Sequence, residues 1–179
     1  MSQLQANVND IVSKNIGTIP GQKVLIYDTQ SGLAKALAEA YRNALGPDAQ
    51  HYDFDRMEMD SLNFRDILIG LPAGSLVVMV QSTNFRITDF RVRVELSQHG
   101  IHCIEHNHLG YLPPAHYETY FNALAYRTPE YVRCTALLNE INDGKPGMDL
   151  VDKSGLRLHF GQLEKFRGNT GAYPEGVAK

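Results

Sequence analysis

The sequence predicts an α/β fold: a Rossmann-like open, mostly parallel sheet with helices on both faces, followed by a C-terminal β-hairpin and an irregular tail. Three observations carry this. Short apolar, β-prone runs alternate with segments of helical period along residues 23–142. The run Leu76–Val80 has no polar side chain, as a strand covered on both faces requires. From Met148 onward the period changes to two, around a cluster of turn residues.

The elements follow in order. Residues 4–16 form an amphipathic stretch that fits an extra helix packed on the outside. Residues 23–28 are the first strand. Leu33, Leu37, Ala40, Tyr41 and Ala44 then recur at helical spacing, and Gly46-Pro47 stops that helix. Residues 50–54 are the second strand. Ser61 caps a helix carrying Leu62, Phe64, Ile67, Leu68 and Leu71. Leu76–Val80 takes a central place, a helix covers residues 88–98, and residues 101–105 are a fourth strand. Pro113 and Pro114 start a helical stretch to about Tyr126, and Pro129 suits the first turn of another, to about Asn142. Strand and helix alternating at this pitch give parallel strands joined by right-handed crossovers. Residues 1–142 therefore read as the α/β domain. Residues 143–179 are a hairpin (148–151 and 156–160, turning at Asp152, Lys153, Ser154 and Gly155) and a tail appended to it.

Composition narrows the function. The chain has 179 residues, 43% hydrophobic and 21% charged, an ordinary globular mix. A formal net charge of -3 argues against a nucleic-acid surface. No apolar run reaches the 18 or so residues of a membrane span, and residues 1–10 lack the layout of a signal peptide. Two distant cysteines, Cys103 and Cys134, make no disulfide framework and fit a cytoplasmic protein. Both are expected to be buried structural thiols.

Ligands of open α/β sheets bind beyond the carboxyl ends of the strands. That rule selects the loops at residues 28–32, 53–56, 81–86 and 105–108. The third is the most polar, with Ser82, Asn84 and Arg86 directly after a buried strand; Arg86 is suited to gripping a carboxylate through its two-pronged guanidinium. Ser82, Asn84 and Thr83 equally suit the ordinary work of capping and loop hydrogen bonding. Arg91 and Arg93, near Asp89 and Glu95, fit surface ion pairs. No GxGxxG follows the first strand and no GxxxxGK[ST] occurs, so no nucleotide cofactor is expected. No GxSxG elbow is present. His102, His106 and His108 share a face on an extended segment, which raises a metal site, although no paired Cys/His module supports it. Asp53, Asp55, Glu58 and Asp60 with Arg56 read as a solvated loop. Among the late aromatics, Tyr117, Tyr120, Phe121, Tyr126 and Tyr131 have core spacing, whereas Tyr111 beside Pro113-Pro114 fits a surface groove.

The last third resembles a known family. Val151, Ser154, Gly155, Leu158 and Phe160, followed by Arg167, Gly171, Pro174, Glu175, Gly176 and Val177, look like a stretch of the aminopeptidase T family of metallopeptidases. There a hairpin with this pattern precedes a loop ending in P-x-G-E, whose Glu is a metal ligand. Here Val177 stands after Gly176 and has no donor atom. The chain reads as the substrate-side, N-terminal domain of such a peptidase without its catalytic domain, so no metal ligand is expected and no catalytic residue is assigned. Such stand-alone domains are similar to peptide-binding accessory proteins of ribosomal peptide (RiPP) natural-product biosynthesis, the crocagin type included. That resemblance implies a noncatalytic protein holding a precursor peptide for modifying enzymes. A domain cut from a complete aminopeptidase-like metallohydrolase, a small α/β enzyme with a metal on His106 and His108, and a structural subunit of a larger complex are the alternatives. The expected peptide-binding residues are Ser82, Asn84, Arg86, Tyr111, Leu156, Leu158 and Phe160. A homodimer is expected from the exposed hairpin edge.

Overall fold

A computed structural model describes residues 2–57, 61–85, 92–125, 128–142 and 147–161. The expected α/β fold is present. Helix α1 (Gln3–Asp10) runs into a wider turn, Ile11–Ile16; then come β1 (Lys23–Tyr27), α2 (Gly32–Leu45), β2 (Gln50–Asp53), α3 (Ser61–Ile69), β3 (Leu76–Val80), α4 (Val92–Gln98), β4 (His102–His106), α5 (Tyr117–Ala123), α6 (Pro129–Asn142), β5 (Met148–Val151) and β6 (Arg157–Phe160). Four strands form a parallel sheet in the order β2-β1-β3-β4, and β5 and β6 pair antiparallel. The chain divides into two compact units, with the parallel sheet in the one that runs through Ala125 and α6 and the hairpin in the other.

Alternation along the central strands sorts the core into two layers. Leu25, Leu76, Val78 and Val80 pack with Val8, Leu33, Leu37, Tyr41 and Leu45 from α1 and α2. Val24, Ile26, Val77 and Met79 pack with Phe64, Leu68 and Leu96 from α3 and α4. Every residue of β3 is buried, so its apolar run is explained by cover on both faces. Helix α2 begins where Ser31 takes an extended backbone and its Oγ accepts the Ala34 N–H at 3.1 Å. It ends at Gly46, whose φ of 83° disfavours any side chain. The stretch before β1 joins the fold through polar bonds as well as packing. Asn7 Nδ2 donates to the Phe121 carbonyl at 2.7 Å, and Gln5 Nε2 donates to the Ala40 carbonyl at 3.0 Å.

Three expectations need correction. The helical stretch after Pro113 is a short 3-10 turn at Pro114–His116 before α5, not one continuous helix. Cys134 is exposed rather than buried, whereas Cys103 packs beside the α3–α4 layer, where burial pushes its thiol well above the ordinary range. Tyr131 is likewise exposed on α6 instead of lying in a core. Tyr126 lies outside the described residues.

A buried polar chain crosses the first layer. His106 Nε2 lies 2.8 Å from the Tyr41 hydroxyl and Nδ1 lies 2.7 Å from the Tyr120 hydroxyl. A neutral imidazole has one donor and one acceptor nitrogen, so one tyrosine donates to the ring and the other accepts from it. Burial lowers the His106 pKa from 6.5 to about 4. The unfolded chain therefore binds the extra proton between those values, and the native state gains stability as pH rises through that window. The contribution is about 3 kcal/mol, present above pH 6.5 and lost on acidification toward pH 4. Urea denaturation at pH 7 and pH 4.5 checks this: His106→Gln should flatten the pH dependence relative to wild type, and an unchanged slope would refute the assignment.

Candidate functional site

The sheet order places β1 beside β3 while their following helices cover opposite faces, so the carboxyl ends of these two strands mark a topological switch point. Two loops meet there, one after Tyr27 and one after Val80. Asp28 is fully buried and ties them together. Its Oδ2 accepts the Ser82 N–H at 2.8 Å, its Oδ1 accepts the Ser82 hydroxyl, and Oδ1 also takes the Gln30 N–H at 3.3 Å. Ser82 Oγ in turn accepts the Ser31 N–H at 2.9 Å, directly before α2. Asp55, from the turn after β2, accepts the Thr29 N–H at 3.1 Å and the Gln30 side-chain amide at 2.7 Å.

Gln81 fixes the other side. Its side-chain amide donates to Asn107 Oδ1, and its Oε1 accepts the Phe85 N–H at 2.6 Å. The Phe85 ring stacks on Phe54, with centroids 4.0 Å apart. The Gly110 N–H donates to the Ser82 carbonyl at 2.8 Å, and a Cβ at Gly110 would sit 2.9 Å from that oxygen, so the close approach requires glycine.

Above this floor lies an exposed rim. Asn84 Nδ2 donates to His108 Nε2 at 3.0 Å, and the His108 ring stacks on Tyr111 at 5.3 Å with 10° between planes. His108 holds a left-handed backbone, φ 59° and ψ 28°. Tyr111 is 74% exposed, an aromatic face open to a ligand.

The sequence-expected residues are thus separated in role. Asn84 and Tyr111 do meet, joined by His108. Ser82 lies beneath them as a buried clamp whose hydroxyl is already engaged by Asp28 and Ser31. Arg86 lies outside the described residues, as do Asp89, Arg91 and the run from Arg167 to Val177. Arg93 pairs with Glu105 at 3.6 Å rather than with Glu95, which pairs with Arg65. His106 and His108 belong to different networks, one buried between tyrosines and one on the rim. Among the described residues no three His, Cys, Asp or Glu groups converge on a point that would hold a metal, and no helix is long and apolar enough to cross a membrane.

Leu156, Leu158 and Phe160 lie in the second unit. The register pairs Leu150 with Leu158 and Met148 with Phe160, which gathers these apolar residues on one face of the hairpin. Leu156, just before β6, continues the same alternation. The opposite face carries Asp149 with His159 at 2.7 Å and Arg157 at 3.8 Å. Asp152 holds the turn: its Oδ1 accepts from the Ser154 hydroxyl at 2.7 Å, the Ser154 N–H at 2.8 Å and the Leu156 N–H at 2.9 Å. These bonds, the Ser154 hydroxyl first, lower its pKa.

No family model, no curated protein and no solved structure matches this chain.

The Asp28 clamp makes a measurable claim. Asp28→Ala strands the buried Ser82 N–H and hydroxyl, and should cost roughly 2–4 kcal/mol in denaturant unfolding. Thr83→Ala, at an exposed site beside it, should stay within about 0.5 kcal/mol of wild type. Equal effects would show that the clamp contributes nothing specific.

Proposed function

We propose that this chain is a noncatalytic peptide-binding module. One observation carries the reading: the β5–β6 hairpin presents an apolar face, with Leu150 50%, Leu158 52% and Phe160 39% exposed, on a sheet of two strands. An isolated two-stranded hairpin is marginal in water, and a further strand both covers the face and satisfies an outer edge. An extended peptide supplies such a strand; ladder bonds give affinity and side chains at alternate positions give selectivity. Val177, in place of the metal-ligating glutamate of the peptidase family that the sequence resembles, supports a binding role over hydrolysis. The same resemblance supports a precursor peptide, held for enzymes that modify it, as the ligand. A second copy of the chain is the competing occupant of the edge and would make a homodimer. A small α/β enzyme acting at the β1–β3 switch point is the second reading, favoured by the convergence of loops there.

Calorimetric titration tests the proposal, with chelator present and with a precursor or other short peptide encoded beside the gene. Saturable binding near micromolar is expected for wild type. Leu158→Asp should weaken it at least about tenfold without shifting the thermal midpoint of the parallel-sheet unit. Binding that survives Leu158→Asp unchanged would remove the hairpin from the site, and an absence of binding to any such peptide would overturn the reading.

A further inference from the structure

The register of the β5–β6 hairpin decides which backbone groups are left on its two outer edges. The Asp152 N–H donates to the Leu156 carbonyl at 3.1 Å, so these residues face one another as a hydrogen-bonded pair. Along an antiparallel ladder such pairs alternate with pairs that do not bond to each other. Leu150–Leu158 and Met148–Phe160 are therefore bonded pairs, whereas Val151–Arg157 and Asp149–His159 are not. The N–H and C=O groups of these last four residues point away from the partner strand. The outer edge of β6 is thus the backbone of Arg157 and His159, and that of β5 is the backbone of Asp149 and Val151. The side chains of Asp149, Arg157 and His159 share the charged face, so the two edges differ in sign. β6 carries a guanidinium and an imidazole with no acid, and β5 carries a carboxylate with no base.

Resting on the peptide-binding reading above, we propose that the ligand strand docks on the β6 edge and alternates acidic with apolar residues. Residues directly opposite on neighbouring strands have their side chains on the same face of the sheet. Ligand residues opposite Arg157 and His159 therefore stand on the charged face, whichever way the strand runs. The residue opposite Leu158 stands on the apolar face. Opposite charges across a ladder attract and like charges repel, so acids suit the first two places. Asp149 already accepts from His159 at 2.7 Å and from Arg157 at 3.8 Å, but it belongs to β5. An added strand runs about 4.8 Å from β6 and about twice that from β5, so the basic side chains are the nearer ones. The Arg157–Asp149 pair is long, and the Arg157 side chain stays 67% exposed, accessible from the open edge. A second copy pairing β6 with β6 would set Arg157 and His159 against the same two residues, base against base. The edge therefore favours an acidic strand over self-pairing.

The test uses the full chain, isotopically labelled, and follows backbone amides by NMR and hydrogen exchange. The probes are capped heptapeptides in which valine alternates with glutamate, with glutamine or with lysine. The glutamate peptide should bind tightest and the lysine peptide weakest, roughly tenfold apart. Binding should protect the Arg157 and His159 amides and leave those of Asp149 and Val151 unprotected. Arg157 is exposed, so Arg157→Glu tests charge without disturbing a core, and it should reverse the order of the glutamate and lysine peptides. A lysine peptide that binds wild type as tightly as the glutamate one, an order unchanged in Arg157→Glu, or protection at Asp149 and Val151 instead would each overturn the proposal. Those results leave the hairpin reading standing as long as Leu158→Asp still abolishes binding, whereas no binding by any of the three peptides overturns both. Protection of Arg157 and His159 that rises with protein concentration in the absence of peptide would assign the edge to a second copy and overturn the proposal as well.

Discussion

Five consecutive residues with no polar side chain, Leu76–Val80, cannot sit at a half-wet position, and the burial of β3 on both faces sets most of what surrounds it. Its two faces need separate apolar cover. Helices α1 and α2 supply one layer, and α3 and α4 supply the other. Because β3 is interior, it needs a strand on each side, and β1 and β4 take those places in parallel register. The crossovers then put α2 on one face and both α3 and α4 on the other, so the chain splits to opposite faces after β1 and after β3. The position of the candidate site is thus a consequence of one apolar strand.

That split leaves polar backbone at the edge of a dry core, and Asp28 resolves it. One carboxylate takes the Ser82 N–H, the Ser82 hydroxyl and the Gln30 N–H. Through Ser82 the same network reaches the start of α2. Polar groups at this depth are costly unless all are paired, so the network fixes the loop geometry as firmly as the packing below it. The exposed rim above it, with Asn84, His108 and Tyr111, inherits that rigidity. Side chains held in place lose less freedom when a ligand arrives.

How much of this was legible in the sequence differs by type of signal. Hydrophobic period located β1, α2, β3 and the hairpin to within a residue or two, because those elements bury most of one face or both. Ser82 was picked out for its position after a buried strand, but a serine in such a loop reads the same whether it faces a ligand or clamps the backbone. His102, His106 and His108 share a strand period, yet the last lies beyond β4 in a left-handed conformation, so the period no longer applies to it. Cys134 was expected inside because free cysteines are usually buried; the helix that carries it exposes much of its apolar surface.

The hairpin sets a limit on how tightly its apolar face alone can hold anything. Fully burying one large aliphatic or aromatic side chain contributes about 1.5–3 kcal/mol. Leu150, Leu158 and Phe160 are already about half covered, and Leu156 is 61% exposed, so covering all four yields roughly 3–6 kcal/mol. Association itself costs an estimated 4–15 kcal/mol in lost freedom. The apolar face therefore cannot reach micromolar affinity by contact area alone. Ladder bonds along a hairpin edge must supply part of the remainder, and they are indifferent to sequence. Selectivity then falls to side chains at alternate positions of the bound strand, where shape against Leu150 and Leu158 and charge against Asp149, Arg157 and His159 discriminate between one peptide and the next.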